Sequence, residues 1–164
     1  MRSKREHSFV KLLEKNQNIV HKICRIYTND PDSHKDLFQE ITIQLWKAYP
    51  KFRGDSKFST WMYRVALNTA ITLYRKSTRQ PKTQDYDTVH FRIKAEPYDD
   101  TTEQQLSIMY AAVRELNDID KALVFLYLED KNYREIAETL GISEVNARVK
   151  MNRIKNKLRD ILNP

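Results

Sequence analysis

Apolar residues return every three or four positions through most of this chain, a period that points to helices rather than strands. From Phe9 to Tyr27 they are Phe9, Leu12, Leu13, Ile19, Val20, Ile23 and Ile26, and the run stops at the breaker Asn29-Asp30-Pro31. One or two packed helices are expected there. A second helix should start between Ser33 and Asp36 and turn Leu37, Phe38, Ile41, Leu45 and Ala48 inward. Pro50 ends it, Phe52-Arg53-Gly54-Asp55-Ser56 supplies turn chemistry, and Ser59 or Thr60 is placed to cap the next helix. With only two glycines in 164 residues and 31% of them charged, the expected fold class is all-α.

The helical period fails after Arg79. The segment QPKTQDYDTVHFRIKAEPYDDTT gains two prolines and turns acidic, which reads as a flexible linker. Two small helical domains are therefore expected, residues 1–80 and 103–164, joined by a linker over 81–102. The second opens with Leu106, Met109, Tyr110, Val113 and Leu116, followed by a helix from about Ile119 to Leu128. Tyr133 to Ser143, YREIAETLGIS, then resembles the first helix and turn of a helix-turn-helix. Ala137 lets two helices approach, Gly141 permits a positive φ and Ser143 caps the following helix. Helix hairpins that bind nothing share this apolar skeleton.

Charge is distributed unevenly. Residues 1–80 hold 16 Lys or Arg against 7 Asp or Glu, residues 81–102 hold 3 against 5, and residues 103–164 hold 10 against 10. Val145 to Arg159 nevertheless contains six cations and no acid. Two basic surfaces separated by an acidic strip suit a polyanionic partner touched at two places. No apolar run is long enough to cross a membrane and the N-terminus lacks a signal-peptide stretch, so a cytoplasmic protein with no membrane insertion is expected. The single cysteine, Cys24, has no disulfide partner and reads as a small buried residue. No spacing suggests a metal site or any other cofactor.

Three surfaces carry the functional reading. The outer side of the second helix combines Asp36, Gln39 and Glu40 with Ile43 and Trp46, an acidic and apolar face suited to a protein partner unless neighbouring segments cover it. In Phe52 to Asn68, a helix begun at Thr60 and turning about 100° per residue puts Met62, Val65, Ala66, Thr69 and Leu73 towards a core. Trp61, Arg64, Asn68 and Arg75 share another arc, with ingredients for stacking bases and following phosphates. An ordinary amphipathic helix with a half-buried Trp61 has the same spacing, so spacing alone leaves both readings open. In the last helix, Ala147, Met151, Ile154 and Leu158 face inward. Val145, Arg148, Val149, Asn152, Arg153 and Asn156 then face out, able to read guanine, adenine and thymine methyls in a major groove.

Together these pieces closely resemble the extracytoplasmic-function group of sigma-70 family RNA polymerase sigma factors, over nearly the whole chain. DLFQEITIQLW (Asp36 to Trp46) is similar to the family's polymerase-binding helix, and FRGDSKFSTWMYRVALNTA (Phe52 to Ala70) to its promoter-melting segment. Leu116 to Leu158 is similar to the domain that reads the upstream promoter element. The resemblance implies a sigma factor that joins core RNA polymerase through its beta and beta-prime subunits, recognises the -10 and -35 elements of promoter DNA and promotes opening, with no chemistry of its own. An anti-sigma factor is an implied further partner.

The resemblance also implies site residues. Asp36, Gln39, Glu40, Ile43 and Trp46 would meet polymerase; Phe52, Arg53, Asp55, Ser56, Trp61, Arg64 and Asn68 would contact the -10 element; Arg148, Val149, Asn152 and Arg153 would enter the -35 major groove. Val145-Asn146-Ala147 departs from the small residue followed by Thr-Val usual at the start of the family's reading helix, so the -35 sequence is not implied. Melting costs about 1.4 kcal/mol per base-pair step and an aromatic platform returns about 1 to 3 kcal/mol per base. Polymerase must supply the rest, so the free protein should bind promoters weakly. A conventional helix-turn-helix regulator that binds an operator as a dimer would leave the Phe52 to Asn68 stripe unexplained. A nuclease would need clustered carboxylates or a histidine pair, whereas His7, His21, His34 and His90 lie apart in sequence.

Overall fold

The computed structural model describes residues 2–79 and 101–164, so residues 81–100 of the expected linker lie outside the described residues. Among the described residues there are seven α-helices and no strand. In chain order they are α1 (Arg2–Tyr27), α2 (Pro31–Ala48), α3 (Phe58–Arg79), α4 (Thr101–Arg114), α5 (Asp118–Leu128), α6 (Tyr133–Leu140) and α7 (Glu144–Leu162). A 3-10 turn, Tyr49–Lys51, follows α2. Thr101 and Thr102, assigned to the linker from sequence, are already helical.

The breaks follow from local chemistry. The α1 run is one helix, and α2 starts at Pro31, before the expected Ser33. Asp30 accepts a hydrogen bond from the Ser33 amide at 2.8 Å, and a proline in the first turn has no amide to leave unpaired. Helix α3 begins at Phe58, so Ser59 and Thr60 sit inside its first turn rather than capping it. Asn117, Asn132 and Ser143 cap α5, α6 and α7.

Helices α1, α2 and α3 pack on one another around Val20, Ile23, Ile26, Ile41, Leu45, Met62 and Leu67, all sealed from solvent. Helices α4 to α7 pack around Leu116, Leu123, Leu126, Ile136, Ala147 and Ile154. The two groups join in one continuous apolar cluster, because α5 also lies against α1 and α3. This corrects two expectations from spacing. Helix α3 buries a second side, Tyr63, Leu67 and Ile71, since α5 covers it, while Val65, Thr69 and Leu73 are only half-buried. Leu106, expected inside, is 50% exposed on α4.

The seam between the groups is polar at its edges and aromatic inside. Tyr27 donates a 2.7 Å hydrogen bond to the Asp118 carbonyl, Arg75 pairs with the Asp118 carboxylate, and Lys22 pairs with Glu129 at 3.3 Å. Arg114 donates to the Arg25 carbonyl at 2.9 Å. Inside, the Tyr63 ring meets Phe125 at 5.8 Å, and Lys121 places its ammonium 4.0 Å from the centre of the Tyr74 ring and 5.4 Å from that of Tyr27. Lys121 is 2% exposed, and burial, reinforced by Arg114 and opposed by Asp118, lowers its pKa to about 8.

Candidate nucleic-acid interface

The segment from Tyr49 to Trp61 folds as a turn pinned by rings. Phe52 packs on Phe58 at 5.7 Å and on Trp61 at 5.1 Å, and Phe58 packs on Trp61 at 5.3 Å. Between Phe52 and Phe58 the chain loops outward, with Arg53, Asp55 and Ser56 exposed. Gly54 has φ 78°, a left-handed conformation that a side chain would strain, although a Cβ there would meet no atom within 4 Å. Trp61 is half-buried and closes the base of this loop; it is not a free platform, and the edge it leaves open borders the loop.

Further along α3, Asn68 is exposed. Arg64 is exposed as well, but its guanidinium reaches the Glu138 carbonyl at 3.5 Å, near the C-terminal, electronegative end of α6. The predicted stripe is thus brought together at Phe52, Trp61 and the loop, while Arg64 and Arg75 are turned to the second group of helices.

The α2 face emerges as expected on one side only. Asp36, Gln39 and Ile43 are exposed, Ile43 at 45%, and Glu40 is half-buried, accepting a 3.0 Å hydrogen bond from Gln44. Trp46 is half-buried against Phe9, with ring centres 5.1 Å apart. It belongs to the aromatic cluster as much as to the acidic face.

The α6 to α7 unit has helix-turn-helix geometry. Asn132 accepts from the Glu135 amide at 2.8 Å and returns a 3.1 Å bond to its carboxylate, a reciprocal arrangement that starts α6 firmly. Gly141 at φ 71° ends it, with its amide and that of Ile142 both donating to the Ala137 carbonyl. Ser143 then accepts from the Asn146 amide at 3.1 Å and starts α7. Ala147, Met151 and Ile154 are buried, Leu158 half-buried, and Arg148, Val149, Asn152, Arg153 and Asn156 all face solvent. Val145 at 71% and Val149 at 43% exposed are apolar groups on the otherwise polar outer face of the first half of α7, which suits methyl contacts better than hydration. Arg148 is held by Glu144 at 2.9 Å and lies over the Tyr133 ring at 4.9 Å.

Cys24 is fully buried and burial pushes its thiol up to about 12, so it is an unreactive packing residue. His21 and His34, distant in sequence, meet nitrogen to nitrogen at 3.0 Å. No group of three or more metal-ligating side chains exists among the described residues.

Comparison with known proteins decides the family. Residues 12–80 match the model for sigma-70 region 2 and residues 106–158 that for sigma-70 region 4. The chain belongs to the sigma-70 family, in its extracytoplasmic-function group. It is a sigma initiation factor, serving promoter recognition and transcription initiation. The ECF RNA polymerase sigma-E factor of Haemophilus influenzae is 29% identical over 94% of this chain and 89% of that protein. RNA polymerase sigma factor SigZ of Bacillus subtilis is 28% identical over 82% of this chain and 75% of its own length. In fold, the chain is similar to the sigma factor RpoE of Bartonella quintana, solved with the anti-sigma factor NepR, with a TM-score of 0.73, 19% identity and coverage of 94% and 96%. It is also similar to CnrH, solved with the cytosolic domain of CnrY, with a TM-score of 0.67 and 19% identity over 96% of this chain and 89% of that one.

Sequence reading of this sigma factor missed Tyr49, Tyr63 and Lys121. Tyr49 lies three residues from both Trp46 and Phe52, and a lone cation in the apolar run DIDKALVFLYL marked Lys121.

Proposed function

We propose that residues 1–80 dock on core polymerase and take hold of the opened -10 element, while residues 103–164 read the -35 element, with residues 81–102 as the link. Asp36, Gln39, Glu40, Ile43 and Trp46 meet the beta and beta-prime subunits. Phe52, Arg53, Asp55 and Ser56 form the loop that receives an extruded non-template base, Trp61 supports it, and Arg64 and Asn68 contact the strand beside it. Arg148, Val149, Asn152 and Arg153 enter the -35 major groove.

The observation that carries this reading is the pairing, in one chain, of an exposed loop based on packed aromatics with a helix-turn-helix whose second helix presents cations, amides and methyls together. The protein performs no catalysis of its own and acts in the cytoplasm, as expected of a partner of RNA polymerase resembling the ECF sigma-E factors. An anti-sigma partner is part of the proposal, supported by the RpoE structure that holds one. Because Arg64 faces Glu138, the reading requires the two helix groups to separate before Arg64 reaches DNA.

The test is run-off transcription with purified core polymerase on genomic fragments, with and without this protein. New start sites that depend on the protein are expected; none would overturn the reading.

A further inference from the structure

The loop Arg53 to Ser56 has little to hold it in place. All four residues are exposed, and among the described residues the one side-chain hydrogen bond they make is a 3.4 Å contact from Ser56 to the neighbouring Lys57 carbonyl. Its position is therefore set by its two ends, Phe52 on one side and Phe58 with Trp61 on the other. Both ends converge on one ring. Tyr49 stacks on Phe52 with planes 15° apart and centres at 6.4 Å, and meets Phe58 and Trp61 at 6.3 Å each. Its carbonyl also accepts the Phe52 amide at 3.0 Å.

The same ring is also tied to the helices. It packs against Phe9 of α1 at 5.1 Å and Trp46 of α2 at 6.4 Å, and its hydroxyl lies 3.3 Å from Ser8 Oγ. Without Tyr49, Phe58 and Trp61 would still be placed by α3, which packs on α1 and α2, but Phe52 would lose the ring that ties it to Phe9 of α1 and Trp46 at the end of α2. Aromatic pairs hold preferred distances and tilts, whereas an aliphatic side chain of similar volume would fill the space without orienting the rings.

We propose that Tyr49 is a positioning residue for promoter opening: its ring holds the loop Phe52 to Ser56 at the setting in which a flipped base is received, without itself touching DNA. This rests on the base-capture reading above, and the experiment separates the two. Holoenzyme is bound to a series of fork templates in which each non-template -10 nucleotide in turn is replaced by an abasic unit, and the loss of affinity is read at each position. The wild type should show one position where removing the base weakens binding by about tenfold, in the range that stacking a base on an aromatic supplies.

Tyr49→Leu should reduce that loss to about twofold while the protein, though less stable, remains folded and bound to polymerase at the assay temperature, and Tyr49→Phe should restore it. A merely structural defect would lower affinity for every template alike and leave the ratio intact. If Tyr49→Leu does not fold, Tyr49→Met takes its place in the comparison with Tyr49→Phe. A wild type with no sensitive position overturns base capture itself. A sensitive position that survives in the leucine or methionine variant, or is lost in the phenylalanine variant, overturns the role of the Tyr49 ring alone.

Discussion

Replacing Lys121 by methionine should close the seam more tightly, not loosen it. Lys121 is 2% exposed, and its ammonium sits in a cage whose walls, Tyr27 and Tyr74, come from α1 and α3, while Lys121 itself is on α5. The charged groups facing it are Arg114, which disfavours the ammonium, and Asp118, which favours it and is itself shared with Arg75. A pKa near 8 against an ordinary 10.5 corresponds to about 3 kcal/mol opposing burial of the charged form. Attraction to the two ring faces offsets about 1 to 2 kcal/mol of that. About 1 to 2 kcal/mol remains against closing, or roughly a tenfold shift in the equilibrium.

The opened state binds the proton more tightly, so the penalty is complete below pH 8 and is relieved as pH rises from about 8 towards 10.5. Tyr27 and Tyr63 do not interfere below pH 10, since burial raises both phenols, Tyr63 to about 12. The assay is single-molecule energy transfer between dyes on cysteines introduced at the exposed Lys11 and Arg159; Cys24 is buried and does not compete for the dye. Lys121→Met should raise the closed-to-open ratio about tenfold at pH 7.5, and the difference from wild type should shrink by pH 10. A lower closed fraction in the variant, or a difference that ignores pH, would refute the reasoning.

Asn68→Ala should impair opening of duplex promoters while pre-melted templates keep more activity, measured by single-round transcription on both. Equal loss on both would make the residue structural. Arg153→Ala should weaken holoenzyme binding by about 1 to 3 kcal/mol and relax preference at one -35 base pair, measured against single-substituted promoters. A uniform loss across all promoters would mean phosphate contact instead. Gly141→Ala should lower stability by about 1 kcal/mol through its left-handed backbone alone, because the site has room for a methyl, and denaturant unfolding reads it directly.

Much of the helix-turn-helix was legible because each of its parts is local. Gly141 ends α6, Ser143 starts α7, and the inward run Ala147, Met151, Ile154 needs only a period to be seen. The same holds for the break at Asn29-Asp30-Pro31. What spacing hid depended on distant segments. A single helical period gives one inward arc, but α3 has two, because α5 arrives from the other end of the chain to bury Tyr63, Leu67 and Ile71. Arg64 and Arg75 read as phosphate contacts for the same reason, since neither Glu138 nor Asp118 is near them in sequence. Trp61 shows how the two open readings combine: it is a half-buried residue of an amphipathic helix, and its packing builds the base of an exposed loop.

On the proposed reading this sigma factor opens promoter DNA only together with polymerase, using the loop that follows Phe52. Permanganate reactivity of unpaired thymines around a start site reports that opening. Reactive thymines should appear on the -10 non-template strand when core polymerase and this protein are both present, and with neither alone. Strand opening by the free protein, or a duplex still unreactive in the presence of both, would contradict it.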